Sequence, residues 1–404
     1  MAGSTGEPVA TMRFPSRRAA RHLPRELRGV RLHEVPAAGP DEPAVGVVED
    51  PRRGHLVAAA RVEGGSFALA PAREQEYRID RWGRLVAALA GSGGVVRRVG
   101  WVSRSIPSEV NLQLDYFQEA SDRCAGPDLR DSYLELLERY AATADQREVL
   151  VWIAAARPER GLLDERLERL AGELLRLRGL LAGARIRVTE VLDRVELALA
   201  IRAGFDPFNR AARAEFVAQV RRELPEALSE MVEIAPGDVE ERWREVACDG
   251  ALHRVAWVKQ WPTTDVGALF CMPLIVNPYV VRAVAWVAEL VDPAAALRNV
   301  SREAIDARSD AQALARVGQR PTITRRQRWA GIDRRERELG AGHAEVHHAA
   351  YIATSVRGDD TRELDRAWQV TEHNAAAARM RLEVLTRRQA QALTLTLPLG
   401  RGLR

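Results

Sequence analysis

Lysine is almost missing from this chain: of its sixty basic residues only Lys259 is a lysine. A P-loop needs a lysine after its glycines to reach the β- and γ-phosphates of a nucleotide. No Gly-Lys-Ser/Thr occurs, which argues against a self-sufficient P-loop motor. Schiff-base and lysine acid–base chemistry collapse onto the same single residue. Cysteine is equally scarce. Cys124, Cys248 and Cys271 are widely spaced and odd in number, with no CxxC, so neither a disulfide framework nor a zinc knuckle is indicated. Long apolar runs are also lacking. The longest stretch without a charge, 266–281, is interrupted by Pro273, Asn277 and Pro278. It falls short of the roughly twenty apolar residues that a spanning helix needs, and we read it as buried core. No apolar segment of the signal-peptide kind opens the chain, and a reducing cytoplasm is the expected setting.

What is present describes a folded protein. Apolar residues make up 46 % of the 404 and charged residues 29 %, with a net charge of +4. Such a chain can bury one large core or two to three ordinary ones. The near-balance of charge argues against one dominant nucleic-acid face and leaves local basic patches open. The arginine-for-lysine bias points to a GC-rich, actinobacterial genome, on codon grounds rather than physical ones.

Residues 1–29 read as a flexible basic arm, either a plain tail or a tether to an anionic surface through Arg13, Arg17, Arg18 and Arg21. Strands follow at about 30–35, 44–50, 54–62 and 65–70, then an amphipathic helix at 72–90 with Ile79, Trp82, Val86 and Leu89 in one stripe. A strand at 95–103 leads to two helices ending near 143, the second with Leu129, Tyr133, Leu136 and Tyr140 on one face. Residues 149–154 form an apolar strand of the kind covered on both faces. The leucines at 163, 167, 170, 174, 177 and 181 make a seam of nearly three heptads. A seam that short suits a helix lying on its own sheet better than a coiled coil.

The second half repeats the plan. Strands are expected at 251–260, 279–291, 343–356 and 380–386, and helices at 293–316, 323–339 and 360–379. Both halves then read strand, helix, strand, helical insertion, strand, helix, strand. The fold class is therefore α+β: two tandem ferredoxin-like (split βαβ) units, each with a helical insertion. The expected division is an arm (1–29), a first unit (30–205), a helical connector (206–240) and a second unit (241–404). One continuous mixed sheet is the alternative.

Several constellations invite a chemical reading and most have a plainer one. Gly91-Ser-Gly-Gly94 follows a helix and precedes a strand, the reverse of a dinucleotide fingerprint, and reads as a helix stop. His343, Glu345 and His347 would share one strand face, but no fourth metal ligand stands at motif spacing. Asp360 with Glu363 makes a capping box. Trp257, Lys259 and Trp261 are expected on one strand face, packed under a helix with the ammonium reaching outward. Arg325, Arg326, Arg328, Arg334 and Arg335 crowd one helix and are candidates for nucleic-acid or partner contact, although acidic residues are interleaved. No catalytic, cofactor-binding or metal-binding residue is assigned.

Four stretches carry a resemblance: Val45-Gly-Val-Val-Glu-Asp50 with its hairpin to Leu69; Val99-Gly-Trp-Val-Ser-Arg-Ser-Ile-Pro107; Thr322-Ile-Thr-Arg-Arg-Gln-Arg328 running to Val346; and Leu397-Pro-Leu-Gly-Arg-Gly-Leu403. In that order and spacing the chain resembles a family of actinobacterial conjugation proteins encoded beside a small PrgI-like membrane protein and a type IV secretion ATPase of the VirB/TraC kind. It is also similar in layout to the non-motor N-terminal region of that ATPase. The resemblance implies a non-enzymatic docking component of a conjugative DNA-transfer apparatus, without a cofactor. Its partners would be the ATPase, the PrgI-like protein and an anionic membrane surface, and it would sit in the cytoplasm, peripheral to the inner face of the membrane. Family members carry a pair of apolar spanning helices after the basic arm, and this sequence runs from Arg18 to Val30 without them. The alternative role is a nucleic-acid-binding accessory of conjugation that uses the arginine-rich helix.

Overall fold

The computed structural model describes residues 10–13, 25–37, 39, 42–107, 132, 145–158, 162–209, 239–277, 279–316 and 318–403. Helices and strands are mixed, and the strands join in one large antiparallel sheet. The first half supplies β1 (Ala10–Arg13), β2 (Arg31–Val35), β3 (Val45–Asp50), β4 (His55–Gly64), α1 (Ala72–Ala90), β5 (Arg98–Pro107), β6 (Asp145–Ala156), α2 (Leu163–Gly183), β7 (Ile186–Val191) and α3 (Arg194–Phe205). The second supplies β8 (Val239–Glu241), β9 (Val246–Cys248), β10 (Ala251–Gln260), α4 (Met272–Ile275), β11 (Val281–Leu290), α5 (Pro293–Arg316), α6 (Ile323–Gly340), β12 (Val346–Arg357), α7 (Thr361–Ala377), β13 (Arg381–Val384) and α8 (Gln389–Leu393).

The sheet is organised around its middle. There β5 pairs with β11, and Trp101 lies directly opposite Trp286. Outward on one side come β6 and β4, and the far edge of β4 is shared between β3 and β7. Outward on the other come β12 and β10, and the far edge of β10 is shared between β9 and β13. The repeat extends to single bonds. Leu192 N–H donates to the carbonyl of Ala59 and Leu385 N–H to that of Val255, each at 3.1 Å and each at the fifth residue of its strand.

Alternation along the central strands divides the core into two faces. On one, α1 and α2 lie over the first half, while α4 and α7 lie over the second. Leu167, Leu170, Leu174, Leu177 and Leu181 of α2 are buried against strand residues, so the heptad seam belongs to a helix resting on its own sheet. Each such leucine contributes about 1.5–3 kcal/mol of burial. On the opposite face lie α3, α8 and the segment Leu397–Leu403. Asp193 starts α3 by accepting from the N–H groups of Val195 and Glu196. Asp360 starts α7 in the same manner, as its motif suggested.

The segment Leu397–Leu403 crosses from one half of the sheet to the other. Arg401, buried, donates to Asp50 at 2.6 and 2.9 Å and to the carbonyl of Glu26 at 2.7 Å. Arg98 Nη1 donates to the Gly400 carbonyl at 3.0 Å, and the Tyr351 hydroxyl donates to that of Gly402. Gly400 (φ +66°) passes so close to β4 that a Cβ would sit 2.9 Å from Val57. Gly402 (φ +119°) presses equally on Tyr351 and Val287. Only glycine combines that backbone with that approach.

Several expectations need correction. Residues 65–70 form no strand but a 3-10 turn, Phe67–Leu69, because Gly64 and Gly65 end the apolar alternation. Ala10–Arg13 and the buried Leu27 fall within the span read as an arm, yet belong to the sheet and core. Arg13 is in β1, whereas Arg17, Arg18 and Arg21 lie outside the described residues, as do the helices expected between 108 and 143 and most of the 206–240 connector. No helix among the described residues is long and apolar enough to cross a membrane.

Candidate interaction surfaces

The first surface is an aromatic cleft where the two halves meet. Helix α1 spans the connection from β4 to β5, but the matching connection from β10 to β11 holds, among its described residues, only the single turn of α4. The space that a longer helix would fill is left as an inner pocket of about 370 Å³. It opens beside a broader cleft of about 680 Å³, and Trp82, Trp101 and Ile275 line both. Trp82 of α1 meets Trp286 at 6.4 Å between ring centres, and Trp261 meets His348 edge-on at 5.0 Å. Burial pushes the His348 imidazole below its ordinary range, which favours the neutral ring, and pushes the Cys271 thiol up, which favours the unreactive form. Glu63 and Arg147 line only the broader cleft. A pocket of this size suits an apolar or aromatic group: its lining is aromatic and aliphatic apart from Cys271 and His348, which burial holds toward their neutral forms.

The wall of this cleft is the uncharged run 266–281, and here the expectation of a buried core fails. Among its described residues only Leu274 and Val280 are buried, while Val276 and Tyr279 are 42 % and 76 % exposed. The run has neither helical nor strand periodicity, so its carbonyls need other partners. Arg282 supplies them, donating to the carbonyls of Leu274, Ile275, Asn277 and Val280.

The second surface is the helical hairpin α5–α6, inserted between β11 and β12. Its helices are held together by a small cluster around Val300, Ala304 and Ile332. Thr322 caps α6 by accepting from Arg325 N–H. The five arginines singled out in sequence do not act as one group. Arg335, near the base, pairs with Glu303 at 2.9 Å and Glu345 at 2.7 Å, and Arg334 lies near Glu338 and Asp265. Arg325, Arg326 and Arg328 are exposed and make no ion pair among the described residues.

The remaining sequence candidates resolve into packing. Strand β12 begins at Val346, so His343 and Glu345 precede it in a loop. His343 rests beside Gly83 of α1, Glu345 is held by Arg335, and no group of metal-ligating side chains assembles among the described residues. Lys259 pairs with the half-exposed Glu383. Trp257 and Trp261 do not share a face: a bulge at Val258–Gln260 reverses the alternation, so Trp257 packs with the α3 side and Trp261 enters the aromatic pocket. His253, buried at the β10–β12 pairing, bonds Ser355 Oγ at 2.7 Å and the Phe205 carbonyl at 2.9 Å, and burial pushes its ring down to about 4. Cys248 nearby has its thiol pushed up by burial, so this cluster is structural.

Sequence reasoning missed the cleft because its parts are scattered from Val62 to Met380, with no local spacing to betray them. One signal was available: the β10–β11 connection is long yet lacks a helical pattern. Comparison with protein-family models and with curated proteins finds no match for this chain.

Proposed function

We propose that the chain is a non-enzymatic docking component of a conjugative-transfer or type IV secretion apparatus, working with a separate ATPase and a small PrgI-like membrane protein at the inner face of the membrane. The observation that carries the docking part is the aromatic cleft: a concave surface at the junction of the halves, whose inner part is lined mainly by aromatic and aliphatic side chains. Such sites take a partner's apolar side chains as anchors. The named apparatus comes from the resemblance of the four sequence stretches. Architecture adds support, since the strand orders β7-β4-β6-β5 and β13-β10-β12-β11 are those of two split βαβ units, and we read them as two ferredoxin-like modules.

The test is a pull-down of the purified secretion ATPase by this protein at micromolar concentration, at low and physiological salt. Association is expected under both conditions. The paired substitutions Phe67→Glu and Met272→Glu put charges into the cleft at positions that are only partly buried. They should weaken the complex by at least about tenfold, the loss of roughly one buried anchor. No association of the unmodified protein, or association indifferent to the cleft substitutions, removes the docking reading.

A further inference from the structure

We infer that the outer half of the α5–α6 hairpin binds the phosphate backbone of nucleic acid without regard to base sequence. Between Ala311 and Ile332 the chain carries Arg316, Arg320, Arg325, Arg326 and Arg328 and not one carboxylate. All five are exposed, and none makes an ion pair among the described residues. The base of the same hairpin is the opposite: Arg308, Arg334 and Arg335 each have acidic neighbours. Asp310, the nearest carboxylate along α5, lies about 9 Å of helix rise before Arg316 and forms no ion pair among the described residues. A positive group this segregated repels itself. Two of its members, Arg325 and Arg326, also stand in the first turn of α6, where the helix dipole disfavours cations. A polyanion relieves both costs.

The choice of nucleic acid over an acidic protein rests on what is missing beside the charge. Protein interfaces centre on buried apolar anchors with charge at the rim. The apolar side chains of α6 form no continuous outer face: Ile323 is exposed and Trp329 half-buried, six residues and therefore about 120° apart round the helix, while Ile332 is buried and packs inward on Val300 and Ala304. The span Ile323–Ile332 rises about 15 Å, enough to pass roughly four successive phosphates of one strand, which follow at about 3.4 Å along a duplex. Arginine forks pair with phosphate oxygens in bidentate fashion, which suits five guanidiniums and no lysine.

The inference does not depend on the docking reading, and its test reads a different surface. Anisotropy of a labelled mixed-sequence DNA of roughly 30 base pairs, titrated with the whole protein, should fit a log–log salt slope near −4.5 for five contacts, so affinity falls about 500-fold between about 50 and 200 mM salt. The triple variant Arg325→Glu, Arg326→Glu, Arg328→Glu should bind at least about tenfold more weakly and flatten the slope to about −1.8. A charge-matched control, Arg73→Glu, Arg169→Glu, Arg178→Glu on exposed positions of α1 and α2, should leave the slope in place. A glutamine triple at the hairpin reports the same loss should the glutamate variant fail to fold. Absence of DNA binding at low salt, an equal loss in the control, or tighter binding to polyglutamate or to phosphatidylglycerol vesicles would each overturn the inference.

Discussion

The two halves of the sheet share a strand order but not a covering. In the first, α1 and the leucine seam of α2 seal a large buried cluster. In the second, the cluster under α4 and α7 is far smaller, and the two long helices of that half, α5 and α6, form a hairpin with a core of their own. The difference teaches that one strand plan can serve two ends. Where a long helix closes the β–β connection the face becomes core; where a single turn does, it becomes a site lined by Trp82, Trp101 and Trp261.

The comparison can be broken most forcefully at the segment that ties the halves together. Arg401→Ala leaves Asp50 buried without its guanidinium, and should cost about 3–5 kcal/mol in equilibrium denaturation, as removal of one member of a buried pair does. If the halves were independent, only one of two resolved transitions would move; a single transition shifting as a whole is the expected result. Next in size is Leu174→Ala in α2, expected to cost about 2–5 kcal/mol by leaving a cavity under the sealed half. Trp261→Ala, on the open pocket of the other half, should cost less than Leu174→Ala in the same assay, because a wall already facing space loses fewer contacts. Equal losses would remove the distinction between core and site.

Acid provides a finer probe. The His253 ring is buried neutral and titrates near 4, below its ordinary 6.5. A depressed histidine stabilises the fold fully above its unfolded value. That contribution is lost as pH falls from about 6.5 to 4, and amounts to at most about 3 kcal/mol. Glu49 also sits below its usual range, because hydrogen bonds from Arg157 and His33 outweigh the opposing effect of burial, and it too loses stabilisation on acidification. Comparing melting temperatures of the unmodified protein and His253→Gln across pH 7 to 4 isolates the histidine: the variant should start lower and fall less steeply. Parallel curves would show that His253 does not titrate in this window.

Much of the fold was legible because periodicity reports burial directly. The α2 seam, the apolar core of β6 and the bounds of β10 follow from alternation or heptad spacing alone. Capping by Asp360 was legible because the chemistry is local. Apart from the 65–70 strand, which local glycines end, the failures arise where distant pairing decided the outcome. The uncharged run 266–281 looked like core until Arg282 supplied its carbonyls. Trp261 looked like a neighbour of Trp257 until a bulge turned it over. The arginine-rich helix was read as one basic patch with acids interleaved, and the acidic partners near its base, Glu303 and Glu345 on Arg335 among them, divide paired from unpaired charge. The cleft is built from many distant stretches between Val62 and Met380, and its one sequence signal is the long β10–β11 connection without a helical pattern.

The bond between Arg401 and Asp50 closes a loop of 351 residues. At roughly 5–20 residues per second of translation, a carboxylate destined for the interior waits on the order of 20–70 s before its counter-ion has even been synthesised. A nascent chain must keep that region hydrated or chaperoned meanwhile, so maturation of this sheet is timed by its last stretch rather than its first.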